Sequence, residues 1–131
     1  MGRYWLTPPN IYKKLDDEFH FSFDPCPFPN QGVNGCEVDW GDMNYVNPPF
    51  TSDGKLFDCG PTAFVRKAIA EQAKGRSTIL LLPTTLYTTL LIDAGAEFRN
   101  MGRIKWLETD TKEPMKGPPP IMCVILRGSK L

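Results

Sequence analysis

Asn47-Pro48-Pro49-Phe50 is a run of four residues whose types suit one kind of chemistry. The oxygen of the Asn side chain and a neighbouring backbone carbonyl can together accept both hydrogens of one exocyclic amine. Two prolines fix φ and keep those acceptors where they are placed. The aromatic side chain that follows offers a face on which a flipped-out base can stack. Together the four form a grip for a planar ring that carries an NH₂ group. Proline-rich turns after strands are also ordinary in globular proteins, so the rest of the chain decides how much the motif weighs.

Asp24 stands before Pro25 at the end of an aromatic stretch, and Asp39 and Asp42 precede the segment that leads into Asn47. In open α/β sheets, ligands bind beyond the carboxyl ends of the strands. If the strands before these residues are parallel neighbours, their side chains meet in one crevice. Carboxylates there would face the ribose hydroxyls and amino groups of a nucleotide-like cofactor, with the substrate amine at Asn47. Asp39 and Asp42 compete for one such role, and the sequence does not choose between them.

Several motifs occur in one order: Trp5-x-Thr7-Pro8, Asp24-Pro25-Cys26, Asp39-Trp40, Asn47 to Phe50, a Leu-Leu-Pro strand end, and Gly102-Arg103-Ile104. Over most of residues 5–107 the chain thereby resembles the phage-type DNA N-6-adenine methyltransferase (Dam) family. The resemblance implies transfer of a methyl group from S-adenosylmethionine to the exocyclic amine of adenine in DNA. It implies that Thr7 and Pro8 help bind the methionine part of the cofactor and that Asp24, with Pro25, belongs to its pocket. Asn47, Pro48, Pro49 and Phe50 become the catalytic set that holds the amine. A phage-infected or lysogenic bacterial host is implied as well. The chain departs from the pattern in its Cys26-Pro27-Phe28-Pro29 loop, which lacks a glycine-rich turn, and only 22 residues separate Asp24 from Asn47. It has no insertion large enough for a target-recognition domain. Sequence reading then falls to the loops Thr51 to Gly60 and Thr109 to Pro120 or to a second subunit, which makes a homodimer an expectation. The same grip suits the cytosine amino group or a protein Gln amide, and a non-catalytic cofactor- or nucleic-acid-binding module is the alternative of a different class.

The elements that must position these residues read as follows. Thr7-Pro8-Pro9 looks like an N-cap followed by proline in the first helical turn, and Ile11, Leu15 and Phe19 recur at helical spacing, so a helix is predicted from about Pro8 to Glu18. Phe19 to Phe23 alternates as a strand does and ends in a turn at Asp24-Pro25. Cys26 to Gly35 is loop, Cys36 to Val38 a short strand, and Asn44 to Val46 a firmer one. Thr62 opens a helix whose Val65, Ala68, Ile69 and Gln72 face one way and which Gly75 closes. Thr78 to Leu82 is a strand buried on both faces, and Thr85 to Ala94 a short helix. Arg103 to Leu107 and Ile121 to Leu126 are the last strands. The alternation predicts a mostly parallel sheet with an antiparallel edge hairpin. With the resemblance, the expected class is α/β, a compact Rossmann-like methyltransferase fold in a single domain over residues 1–131.

A chain of 131 residues with 41% hydrophobic side chains suffices for one core. No apolar run approaches the roughly 20 residues of a membrane span, and the start lacks a basic-then-apolar pattern, so a cytoplasmic protein without a membrane partner is expected. Cys26, Cys36, Cys59 and Cys123 show no C-x-x-C spacing and His20 is the one histidine, so no metal site and reduced thiols are expected. The formal net charge is zero, with acidic residues in excess before residue 60 and basic ones after it. Arg66, Lys67, Lys74, Arg76, Arg99, Arg103 and Lys105 are candidates for a phosphate-facing surface. Overall neutrality argues against tight non-specific DNA binding. Trp5, Trp40 and Trp106 read as core or rim packing in preference to base-stacking platforms.

Overall fold

A computed structural model describes residues 5–28, 34–48, 60–84 and 87–128. In chain order its elements are β1 (Trp5–Leu6), α1 (Pro9–Phe19), β2 (Met43–Val46), α2 (Pro61–Ala73), β3 (Ser77–Pro83), α3 (Thr88–Asp93), β4 (Glu97–Arg103), β5 (Leu107–Glu108) and β6 (Pro120–Leu126). Four strands form one sheet in the order β2-β3-β6-β4, and β1 pairs antiparallel with β5 in a separate ribbon.

This architecture corrects the expected class. The molecule is a small α+β fold with a mixed sheet, not a mostly parallel Rossmann-like one: among the described residues β2–β3 is the one parallel strand pair, and β6 runs antiparallel to both β3 and β4. Strand–helix–strand alternation suggested parallel order, but it holds only for β2-α2-β3. After α3 the chain enters β4 one place further out, and β6 later fills the slot beside β3 in the opposite direction. The antiparallel strand is therefore interior and not part of an edge hairpin.

Burial explains which strands were legible. In β3, Ile79 and Leu81 face one side while Leu80 and Leu82 face the other, and all four are buried. Ile121, Cys123 and Ile125 of β6 alternate in the same way with Met122, Val124 and Leu126. One face packs on Phe64, Val65 and Ala68 of α2 and Leu91 of α3; the other packs on Leu15 and Phe19 of α1 with Ile104 and Trp106. Each such Leu or Ile contributes about 1.5–3 kcal/mol when fully buried. By contrast β4, an edge strand exposed at nearly every position, gives no apolar period. Its register shifts between Asn100 and Gly102, where Gly102 takes a positive φ of 67° that suits glycine.

Other expectations shift locally. α1 runs through Phe19, and His20 then turns left-handed, so the strand expected over Phe19 to Phe23 shrinks to a parallel bridge between Phe23 and Asn44. Residues 35–37 form a turn in place of a strand. α2 begins after Gly60 with Pro61 in its first turn, so Thr62 lies inside the helix, and Gly75 follows its end with φ 87°. Cys36 is disulfide-bonded, its partner lying outside the described residues, which corrects the expectation of reduced thiols at that position. Among the described residues no helix is long and apolar enough to cross a membrane.

The start of β2 is tied to α2 by one buried carboxylate. Glu71 is fully buried; its Oε1 accepts from the Trp40 N–H at 2.8 Å and Arg76 Nη1 at 2.6 Å, and its Oε2 meets Lys74 at 2.8 Å and Lys67 at 3.3 Å. Burial alone would raise the Glu71 pKa, but the hydrogen bonds from Lys74, the Trp40 N–H, Arg76 and Lys67 together outweigh it and hold the carboxyl at about 2.

Candidate functional site

Parallel pairing brings the carboxyl ends of two segments to one place. Tyr45 N donates to the Phe23 carbonyl at 3.0 Å, so Asp24 and Asn47 both follow the same end of this pairing. β1 then reaches that end from the side: Asn47 Nδ2 donates to the Trp5 carbonyl at 2.8 Å. Thr7 follows β1, and its hydroxyl hydrogen-bonds the Tyr45 hydroxyl. That bond replaces the expected capping role of Thr7, because the N-cap residue of α1 is Pro8 and no side chain caps the helix.

The result is a cleft of about 240 Å³ lined by Leu6, Thr7, Tyr12, Asp24, Phe28, Tyr45 and Asn47. Three residues singled out from sequence, Thr7, Asp24 and Asn47, thus meet in one place although they are far apart in the chain. Pro8 and Pro25 adjoin two of them, and Pro48 is buried directly after Asn47. Pro49 and Phe50, with most of the loop Thr51 to Gly60, lie outside the described residues. Asp39 and Asp42 are not brought to the cleft. Asp39 is exposed and pairs with Lys74 at 3.2 Å and Arg76 at 3.8 Å, and the Asp42 carbonyl accepts from Ser77 N at 3.0 Å, so both sit at the start of β2, at the opposite end from Asn47. The reason is the turn at 35–37: with no strand there, these residues approach β2 and do not extend beyond a strand end.

Electrostatics give each group in the cleft a defined state. Burial pushes the Asp24 carboxyl up to about 6, against the pull of the Cys26 N–H, which donates to Asp24 Oδ1 at 2.8 Å. Oδ2 remains for a ligand donor. Burial also raises the Tyr45 phenol far above its ordinary range and, with Asp16 and Asp24, raises Tyr12, so both stay protonated at neutral pH. The two rings meet edge-on at 4.9 Å between centroids, and Phe21 lies 5.0 Å from Tyr45. Fixing Nδ2 on Trp5 sets the Asn47 amide so that Oδ1 is its acceptor end. The cleft therefore offers a carboxylate, a hydroxyl and an oriented amide oxygen against an aromatic wall.

Tyr12, Tyr45 and Leu6 were not singled out from the sequence. Tyr45 was within reach of it, since it lies two residues before Asn47 in a strand and so on the same face. The basic surface expected for phosphate contact is largely absorbed by the protein. Lys67, Lys74 and Arg76 turn onto Glu71, Arg99 grips Glu18 through two contacts of 2.7 Å, and Arg103 donates to the Pro118 carbonyl. Arg66 lines a larger cleft of about 490 Å³ between α2 and α3, with Thr62, Tyr87 and Asp93. That cleft contains none of the candidate catalytic or cofactor residues. Among the described residues no group of His, Cys, Asp and Glu is arranged to hold a metal ion. No protein-family model, curated protein or solved structure matches this chain.

Proposed function

We propose that the chain transfers a methyl group from S-adenosylmethionine to the exocyclic amine of adenine in DNA, as its resemblance to the Dam family implies. The observation that carries this reading is the meeting of Thr7, Asp24 and Asn47 in one cleft, with the Asn47 amide oriented by the Trp5 carbonyl. The reading rests on the site and not on the class of sheet, because one chemistry recurs on different folds.

The donor set fits the cofactor. A carboxylate with an available oxygen suits the ammonium or ribose hydroxyls, the Thr7 hydroxyl adds a polar contact, and the aromatic wall suits the apolar parts. At about 240 Å³ the cleft is smaller than the roughly 300–1,000 Å³ of a complete ligand pocket, so it holds only part of cofactor and substrate. S-adenosylmethionine supplies an electrophilic methyl group when bound. Asn47 Oδ1 and the Pro48 carbonyl accept the two hydrogens of the target amine, which localises its lone pair for attack. Held there, the amine would take the methyl group, with the S–C bond electrons retained by S-adenosylhomocysteine, and the proton lost from the nitrogen would pass to water. Tyr12, Tyr45 and Phe28 shield the cleft. No strong general base is needed, which agrees with two protonated tyrosines and an amide at its centre.

Asp24 makes the reading testable through pH. The ionised carboxylate binds an ammonium or ribose hydroxyl far better than the neutral acid does, and the raised pKa means that it predominates only above about pH 6. Calorimetry is expected to show S-adenosylmethionine binding weaken by about tenfold between pH 7 and pH 5. Asp24→Asn should weaken binding at pH 7 and remove this dependence, while Asp17→Asn, on the exposed side of α1 beside Lys13, should leave both unchanged. A pH-independent dissociation constant for the wild-type protein would remove Asp24 from the cofactor site.

A further inference from the structure

A second cavity, of about 320 Å³, is lined by Trp5, Glu108, Glu113, Pro114, Met115 and Lys116. We propose that it binds an unpaired nucleobase adjoining the target base, stacked on Trp5 and read by Glu113. This rests on the proposed DNA substrate and names what selects the target's neighbour. Successive residues of a strand point to opposite faces. In β1, Leu6 faces the Asn47 cleft and Trp5 faces this cavity, so the β1–β5 ribbon is a wall with a base site on each side. The two are physically joined, because the carbonyl of Trp5 holds Asn47.

The far wall is a folded loop. The Glu108 carboxylate accepts from the N–H groups of Asp110 at 3.1 Å and Thr111 at 2.7 Å, and Met115 N donates to the Trp106 carbonyl at 2.6 Å. Glu108 is thus spent inside the loop. Glu113 is exposed, and among the described residues no protein donor reaches its carboxylate. Trp5 and Met115 rest against the core, which pre-forms a flat apolar surface. Two carboxylates and one ammonium disfavour a phosphate here. They favour a ring edge that presents N–H donors, as when a Glu accepts from the cytosine amino group.

Two readouts on the full chain, tryptophan quenching and anisotropy, test the site without any methyl transfer, and a third reads it through the reaction. Trp40 and Trp106 are buried, so quenching of tryptophan emission by an added ligand reports Trp5. A mixed-sequence single-stranded deoxyoligonucleotide of about a dozen nucleotides is expected to quench it saturably. Anisotropy of the same oligonucleotide carrying a dye should show Trp5→Ala weakening binding by about 5–150-fold, the range for losing one stacked base. Glu113→Gln, at an exposed position that leaves folding intact, should change the preferred base next to the methylated adenine on substrates with randomised flanks. Unchanged affinity in Trp5→Ala, or unchanged flanking preference in Glu113→Gln, would overturn the site while leaving the methyltransferase reading in place. Quenching by an arginine-rich peptide but not by the oligonucleotide would overturn it too. Oligonucleotide quenching without any methyl transfer would support the site and remove the reading on which its role rests.

Discussion

Asn47→Ala is expected to lower methyl transfer to DNA by about 10²–10³-fold while leaving S-adenosylmethionine affinity within a few-fold of wild type. The Asn47 side chain is buried and its nitrogen is committed to the Trp5 carbonyl, and its oxygen is the acceptor that the proposed mechanism assigns to the amine. A preorganised contact that strengthens as charge develops acts on the transition state more than on binding, so the loss should appear in kcat. Single-turnover transfer of labelled methyl, with cofactor affinity measured in parallel, separates the two effects. Turnover close to wild type would take the amide out of the mechanism. An equal loss of cofactor affinity and rate would make Asn47 a binding residue only.

Glu71→Ala is expected to destabilise the fold by about 3 kcal/mol, toward the low end of the range for breaking a buried ion pair because Lys74 and Arg76 are part-exposed and can turn to water. The Trp40 N–H cannot, and it loses its acceptor. Thermal melting should fall by roughly 10 °C or more. The wild-type network also sets a pH dependence of definite sign. Glu71 is held at about 2 against an ordinary value of 4.5, so its contribution is full above pH 4.5 and is lost as pH falls toward 2. Asp24 works the other way: its raised pKa favours the folded state below pH 3.8, and that contribution is lost as pH rises through about 6. Melting temperatures of Glu71→Ala and wild type should therefore converge at low pH. A constant gap from pH 7 to pH 2.5 would show that the carboxylate charge is not what the network uses.

The parts of this protein that announce themselves in its sequence are those where local chemistry and burial coincide. Thr78 to Leu82 and Ile121 to Leu126 are buried on both faces, and their apolar runs say so. Asp24 and Asn47 terminate segments whose parallel pairing is short and local. In the sequence Thr7 is tied to them by the resemblance alone; β1 reaches them through its pairing with β5 and the Trp5 carbonyl, and the role of Thr7 as a helix cap does not survive its hydrogen bond to Tyr45. What escaped depended on partners distant in sequence. β4 is polar because it is an exposed edge, and only its pairing with β6 makes it a strand. The insertion of β6 between β3 and β4 is a choice among slots that no local pattern encodes, and it turns an expected parallel sheet into a mixed one. Lys67, Lys74 and Arg76 look like a basic surface until Glu71 is seen to collect them. Asp39 and Asp42 were placed by assuming a strand at Cys36 to Val38, and the turn there carries them to the other end of β2.

The identity of the product separates the proposed reaction from its rivals. Adenine and cytosine both present an exocyclic amine, and the Asn47 grip does not distinguish them. The most direct measurement is mass analysis of nucleosides from DNA incubated with the protein and isotopically labelled S-adenosylmethionine, on matched duplex and on DNA with mismatched or single-stranded adenine. Labelled N6-methyladenine is expected, formed faster where the adenine is already unpaired, because flipping then costs a few kcal/mol less. Labelled methylcytosine as the sole product, or cofactor binding with no methylated base on any DNA, would contradict the proposed reaction.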